Sequence, residues 1–164
     1  MKQNSLTNLI LIFFLSLMLS CGGSDNSESA ATDEKPQSML SSAPKTLEEA
    51  EKDWKTSNGI GPNSSFELPA EIDQALADAG KIVYEAKCTA CHKVDKQFIG
   101  PAPKGILERR TPAWVMNMIM NPEEMIQKDP IAKQLLIKFN GAPMANQNLT
   151  LEESRAVLEY FRTL

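Results

Sequence analysis

Cys88-Thr89-Ala90-Cys91-His92 sets two thiols three positions apart and places the chain's one histidine directly after the second. With a single imidazole available, three-histidine zinc sites, histidine-rich copper sites and iron held between two histidines are excluded. Two cysteines so spaced and followed by histidine form the attachment signal of a c-type haem. The thiols add across its two vinyl groups, and the adjacent imidazole is placed to ligate the iron. Two other readings compete. A CxxC redox pair beside an incidental histidine would want the pair at the start of a helix after a strand, whereas here it ends a helical pattern with no βαβ rhythm around it. A zinc site would lack a fourth credible ligand. The expectation is one haem c, attached through Cys88 and Cys91, with His92 on the metal.

The rest of the chain supplies the walls for such a group. From Pro69 to Leu164 the sequence carries helix signals and no convincing alternating strand, so the fold class is all-α with about four helices. The first spans about 72–87, with Ile72, Leu76, Ala79, Ile82, Val83 and Ala86 on one face and Gly80 lowering its continuity. Thr111-Pro112 and Asp129-Pro130 pair an N-cap residue with proline at the first helical position and open helices of about 112–120 and 130–139. Gly141 supplies a stop after the second of these. Thr150-Leu151-Glu152-Glu153 is a capping box for a last helix whose apolar face is Leu151, Val157, Leu158 and Phe161. Residues 88–110, rich in Gly and Pro, read as a loop. A loop of 23 residues inside a domain of about 95 is unusual, and so small a core is marginal, unless both wrap a large buried cofactor.

The N-terminal part has another job. Lys2 is the one charge in residues 1–20, and an apolar run from Leu9 to Leu19 is too short to cross a membrane, so 1–20 reads as an export signal. Ser20-Cys21-Gly22-Gly23 resembles the lipobox of bacterial lipoproteins, which implies diacylglycerol on Cys21; ordinary signal cleavage and an uncleaved anchor are the alternatives. Three cysteines are then all used, two on haem and one on lipid. Residues 21–68 hold nine acidic and four basic residues and read as an acidic flexible tether, whereas twelve acidic and twelve basic residues balance over 69–164, the expected haem domain. Leu47, Ala50 and Trp54 recur at helical spacing within the tether. They form either a transient helix or a segment that docks Trp54 on the domain. The formal charge of −4 and the lack of a basic run argue against a nucleic-acid partner.

From Asp73 to Leu164 the chain resembles the class I c-type cytochromes. The resemblance rests on CxxCH at 88–92, Gly-Lys-Ile-Val-Tyr-Glu-Ala-Lys before it, Ile99-Gly100-Pro101 after it, Trp114, and Pro143-Met144 ahead of the last helix. More narrowly, the chain is similar to small bacterial cytochromes encoded near nitrous oxide reductase. The resemblance implies a monohaem electron carrier with Met144 as the second axial ligand. Among the eight methionines, Met1 and Met18 leave with the signal, Met39 lies in the tether, Met116, Met118 and Met120 sit on a helix, and Met125 opens a connector. Met125 or an open position are the alternatives to Met144. The resemblance further implies that the Pro101 carbonyl accepts from the His92 ring. It also implies that the Trp114 indole reaches a haem propionate, with Arg109 or Arg110 pairing with the same carboxylates; a core tryptophan and solvated arginines are the alternative.

Iron held by His and Met has no open position for substrate and passes single electrons. The expected protein is therefore an electron carrier and not an enzyme. It is a lipid-anchored monomer on the periplasmic side of a bacterial membrane, working between a quinol-oxidising complex and a terminal reductase or oxidase such as nitrous oxide reductase. Seven basic and three acidic residues between Lys81 and Arg110 give a local +4 that suits an acidic partner surface, unless these side chains are simply solvated. The rival reading is a haem-based sensor or peroxidase-type enzyme with a displaceable sixth ligand.

Overall fold

Side chains that cap helix ends set the element boundaries. In the computed structural model, which describes residues 46–164, six helices follow in order and no strand occurs among the described residues. They are α1 (Leu47–Ala50), α2 (Gln74–Lys87), α3 (Pro112–Met120), α4 (Pro122–Lys128), α5 (Pro130–Lys138) and α6 (Leu151–Phe161), with 3-10 turns at Trp54–Thr56 and Ile106–Glu108. Asp73, Thr111 and Asp129 each accept a hydrogen bond from the backbone N–H three residues on, at 3.0, 3.1 and 2.8 Å. Thr150 and Glu153 exchange bonds of 3.1 and 2.8 Å in a reciprocal box. Each satisfies donors that a helix start leaves open. The expected signal 1–20, Cys21 and the tether as far as residue 45 lie outside the described residues.

The long pairing is α2 against α6, and Gly80 makes it possible. A Cβ at Gly80 would stand 1.9 Å from the Ala156 carbonyl oxygen, so only glycine lets the two backbones approach this closely. The crossing also corrects the expected face of the first helix. Its buried stripe is Ala77, Gly80 and Tyr84; of the expected face, Leu76 and Val83 are half-buried, Val83 against the core, whereas Ala79, Ile82 and Ala86 are exposed, Ile82 at 69%, and Ile72 is exposed ahead of the helix start. The stripe is centred on Gly80, where the two backbones meet, with Ala77 and the buried ring of Tyr84 on either side of it. Leu151 is likewise exposed, since it sits at the first position of α6 ahead of the buried face, and Val157 and Leu158 carry that face. Beneath the crossing, Trp114, Val115, Met116 and Ile119 of α3 meet Met125, Ile131, Ala132 and Leu149 in one cluster.

Two elements differ from the sequence expectation. Residues 122–128, read as a connector opened by Met125, form α4, and Met125 is fully buried. Asn121-Pro122 is the same start signal as Thr111-Pro112, although Asn121 makes no side-chain cap bond. The second difference concerns the tether boundary at 68. Residues 46–68 form a strap on the domain: Leu47, Ala50, Trp54, Ile60, Phe66 and Leu68 pack against the core. The strap is pinned at its middle by Asn117, a fully buried side chain that donates to Asn58 O (2.8 Å) and Asn63 O (2.9 Å) and accepts from Asn63 N (3.1 Å) and Nδ2 (3.0 Å). Thr111 Oγ1 donates to Ser57 O at 2.6 Å, and Ile60 N donates to Met125 Sδ at 2.9 Å. Of the two alternatives for Trp54, the structure takes the docked one.

Candidate functional site

The helices and the 88–111 loop enclose a cavity of about 220 Å³, lined mostly by carbon. Cys88 and Cys91 reach its wall because α2 ends there. Cys88 N donates to Tyr84 O, and the Cys91 and His92 amides both donate to Cys88 O at 3.1 and 2.9 Å, coiling the motif into a tight turn. The Tyr84 hydroxyl donates to His92 O at 3.1 Å from below. Burial first, then the neighbouring Cys88 and Tyr160, pushes that phenol up to about 12, so it stays a donor.

His92 Nδ1 lies 2.7 Å from the Pro101 carbonyl oxygen. A carbonyl can only accept, so Nδ1 carries the proton and Nε2 is left with a lone pair for a metal, the arrangement that orients ligating imidazoles in general. Gly100 makes room for the ring: a Cβ there would stand 2.4 Å from His92 Cε1. Burial, reinforced by Cys91, raises the Cys88 thiol to about 11. A neutral thiol is a poor disulfide-exchange nucleophile, which argues against the dithiol-redox reading.

The remaining expected residues all line the same cavity, with different partners. Met144 stands in its wall from the 141–149 loop, half-buried. Met118 also lines it, whereas Met125 does not; its sulfur is committed to Ile60 N. Trp114 departs from the expected propionate contact, because its Nε1 donates to the buried Asp129 Oδ1 at 3.1 Å. Asp129 thus serves as both the α5 cap and the indole's acceptor, a double role that its sequence signal as a cap does not reveal. Arg109 is held by three backbone carbonyls, those of Ala102, Lys104 and Gly105, at 2.6 to 3.0 Å. Arg110 is 3% exposed, stacks on Trp114 at 5.2 Å, and pairs with Glu51 of the strap. Its Nε is buried without a partner. Neither arginine is a solvated side chain, so two of the seven basic residues between 81 and 110 are withdrawn from the surface. Lys81 is faced by Glu85 at 3.9 Å.

The donor set, the glycine that clears the imidazole and the orphaned guanidinium nitrogen beside an apolar cavity fit a haem with its carboxylates. The profile of the family described as Cytochrome c matches residues 77–164. The chain belongs to the cytochrome c family. Among solved structures, cytochrome c from Rhodothermus marinus is 41% identical, with 68% of this chain and 96% of that one covered and a TM-score of 0.64. An engineered cytochrome c from Rhodothermus marinus, Rma TDE, is 42% identical over 63% of this chain and 89% of that one, TM-score 0.60. The same engineered protein bound to a carbene intermediate is 42% identical over 63% and 88%, TM-score 0.58. No curated protein matches. As a cytochrome c the chain carries haem c on Cys88 and Cys91 and is a haem-based electron carrier. Among the described residues no helix is long and apolar enough to cross a membrane.

Proposed function

We propose that this cytochrome c is a membrane-tethered, six-coordinate monohaem carrier. His92 and Met144 hold the iron, and single electrons pass between a quinol-oxidising complex and a terminal periplasmic reductase or oxidase. The observation that carries the reading is the convergence of Cys88, Cys91, His92 and Met144 on one apolar cavity, with the imidazole already fixed by Pro101. Bound haem supplies a one-electron couple whose potential is raised by thioether ligation and by exclusion of water. The chain's own part is to hold that couple rigid. Pro101 fixes the ring plane, Tyr84 braces the backbone carbonyl of His92, and the apolar walls keep the medium of low dielectric so that little reorganises when charge changes.

A lipid on Cys21 tethers the domain to the periplasmic face of a bacterial membrane. The acceptor in this reading is a terminal reductase such as nitrous oxide reductase, approached as a monomer and steered by the exposed lysines Lys87, Lys96 and Lys104. Arg109, bound to three carbonyls, is not free to act as the distal group that a peroxidase needs.

The test is quinol-driven reduction of the haem in membranes from cells that export the full chain, compared with Cys21→Ser. Wild type is expected in the membrane fraction, reduced rapidly by quinol, and slowed by added salt. The Cys21→Ser chain should be found in the soluble fraction and be reduced at least tenfold more slowly at equal amounts. A haem that quinol does not reduce, or a ferrous wild type that binds carbon monoxide readily, would contradict the reading.

A further inference from the structure

The cavity's charges are one-sided. Lys87, Arg109 and Arg110 line it, and among the described residues no carboxylate does. Arg110 is the most deeply buried of the three, with its guanidinium carbon over the Trp114 ring at 5.2 Å from the centroid, Nη1 donating to Arg109 O at 2.5 Å, and Nε unpartnered. Its Nη2 is paired with the carboxylate of Glu51, which is only a third exposed. Glu51 belongs to the strap and lies outside the residues that match the family, 77–164. We propose that Glu51 is a potential-setting residue: the strap carries its carboxylate to Arg110 and thereby holds the haem's reduction potential below the value Arg110 alone would impose. This rests on the haem reading above.

Oxidised haem iron carries one more positive charge than reduced, so a buried cation in the wall favours the reduced form. In a medium of low dielectric, that preference is poorly screened. A carboxylate paired with the guanidinium, as Glu51 is, offsets it. Glu51 also acts on Arg109, whose pKa burial and Arg110 lower while Glu108 and Glu51 oppose the shift. Compensation therefore persists only while the strap is docked, and docking is held by Asn117, Thr111 and Met125, none of which touches the Glu51 carboxylate in the contacts described above.

The experiment measures the reduction potential of the holoprotein with Glu51→Gln, Asn117→Ala and, as a control for surface charge on the strap, Lys52→Gln. Absorption spectra and thermal midpoints are recorded for each. Glu51→Gln is expected to raise the potential by about tenfold in the electron-exchange equilibrium constant, about 59 mV for one electron. Asn117→Ala releases the strap without removing a charge and should shift it in the same direction. Lys52→Gln should leave it within a third of that shift. A purely structural strap would lower thermal midpoints and leave the potential in place, and that result overturns the proposal. So does a Lys52→Gln shift equal to that of Glu51→Gln. Should Glu51→Gln yield no folded holoprotein, Asn117→Ala decides: exchange protection lost at Ile60 and Asn63 with an unchanged potential also overturns it. A wild type without a covalent haem spectrum overturns the haem reading itself.

Discussion

Gly100 shows how one missing carbon positions a ligand. Any side chain there drives the imidazole off the Pro101 carbonyl, because the nearest ring atom is 2.4 Å from where Cβ would be. Gly100→Ala is expected to destabilise the holoprotein by about 2 kcal/mol, an overpacking cost, and to weaken the far-red sulfur-to-iron band; denaturant titration and the absorption spectrum check both. Glu159 is a second such residue. It is fully buried in α6 between Arg155 (2.5 Å) and Arg162 (2.7 Å) and accepts from Asp73 N at 2.8 Å, clasping the start of α2 to the last helix. Burial pushes its carboxyl up, but the Asp73 amide and the two guanidiniums outweigh that and hold it below the ordinary value of 4.5. A lowered folded value means that the clasp is fully formed above the unfolded value and is lost as pH falls through the lowered one. Wild type should therefore lose stability below about pH 4.5 more steeply than Glu159→Gln, which should itself be about 3 kcal/mol less stable at pH 7, as unfolding curves across pH will show. The residue scale is also where sequence reading stops short. Five consecutive letters carry the haem attachment, but nothing local in the sequence says that Trp114 turns to Asp129 fifteen positions on, or that Arg110 meets Glu51 at a separation of 59.

Helix starts were legible because each is a local transaction between a capping side chain and a nearby amide, so Thr111, Asp129 and Thr150 mark their helices without help from the rest of the fold. Helix faces were less so. In α2, hydrophobicity points to Ile82, which is exposed, whereas the face turned to α6 is set by Gly80, where the Ala156 backbone leaves no room for a Cβ. Gly80→Ala should improve local helix propensity by up to about 1 kcal/mol and still cost about 2 to 3 kcal/mol net, because Ala156 O is backbone and cannot step aside; a lower denaturation midpoint with α2 and α6 exchanging together is the expected signature. The strap was legible only as an ambiguity. Its composition is that of a tether, and the groups that dock it, Asn117, Thr111 and Met125, belong to other elements and read as ordinary helix residues on their own.

At the scale of the molecule, the cavity takes the place of a conventional core. Trp114, Val115, Ile119, Leu149 and Val157 belong both to the central cluster and to the cavity wall, so without haem their inner faces have no packing partner. Cys88→Ser/Cys91→Ser, exported without attached haem, should keep much of its far-UV helix signal but lose near-UV structure and cooperative unfolding. The whole-molecule fold class was readable from the sequence for the same reason: a helical pattern too small for its own core and a long Gly- and Pro-rich loop make sense together around a prosthetic group. In the six-coordinate reading, this group's iron is closed by His92 and Met144. That reading is tested most directly by the absorption spectrum of the exported chain, oxidised and reduced, with Met144→Ala beside it. Iron closed by His92 and Met144 gives a covalent haem c spectrum with a weak far-red sulfur-to-iron band in wild type, indifference of the ferrous wild type to carbon monoxide, and loss of both properties in Met144→Ala. A wild type that lacks the band and binds carbon monoxide at once would contradict the six-coordinate reading.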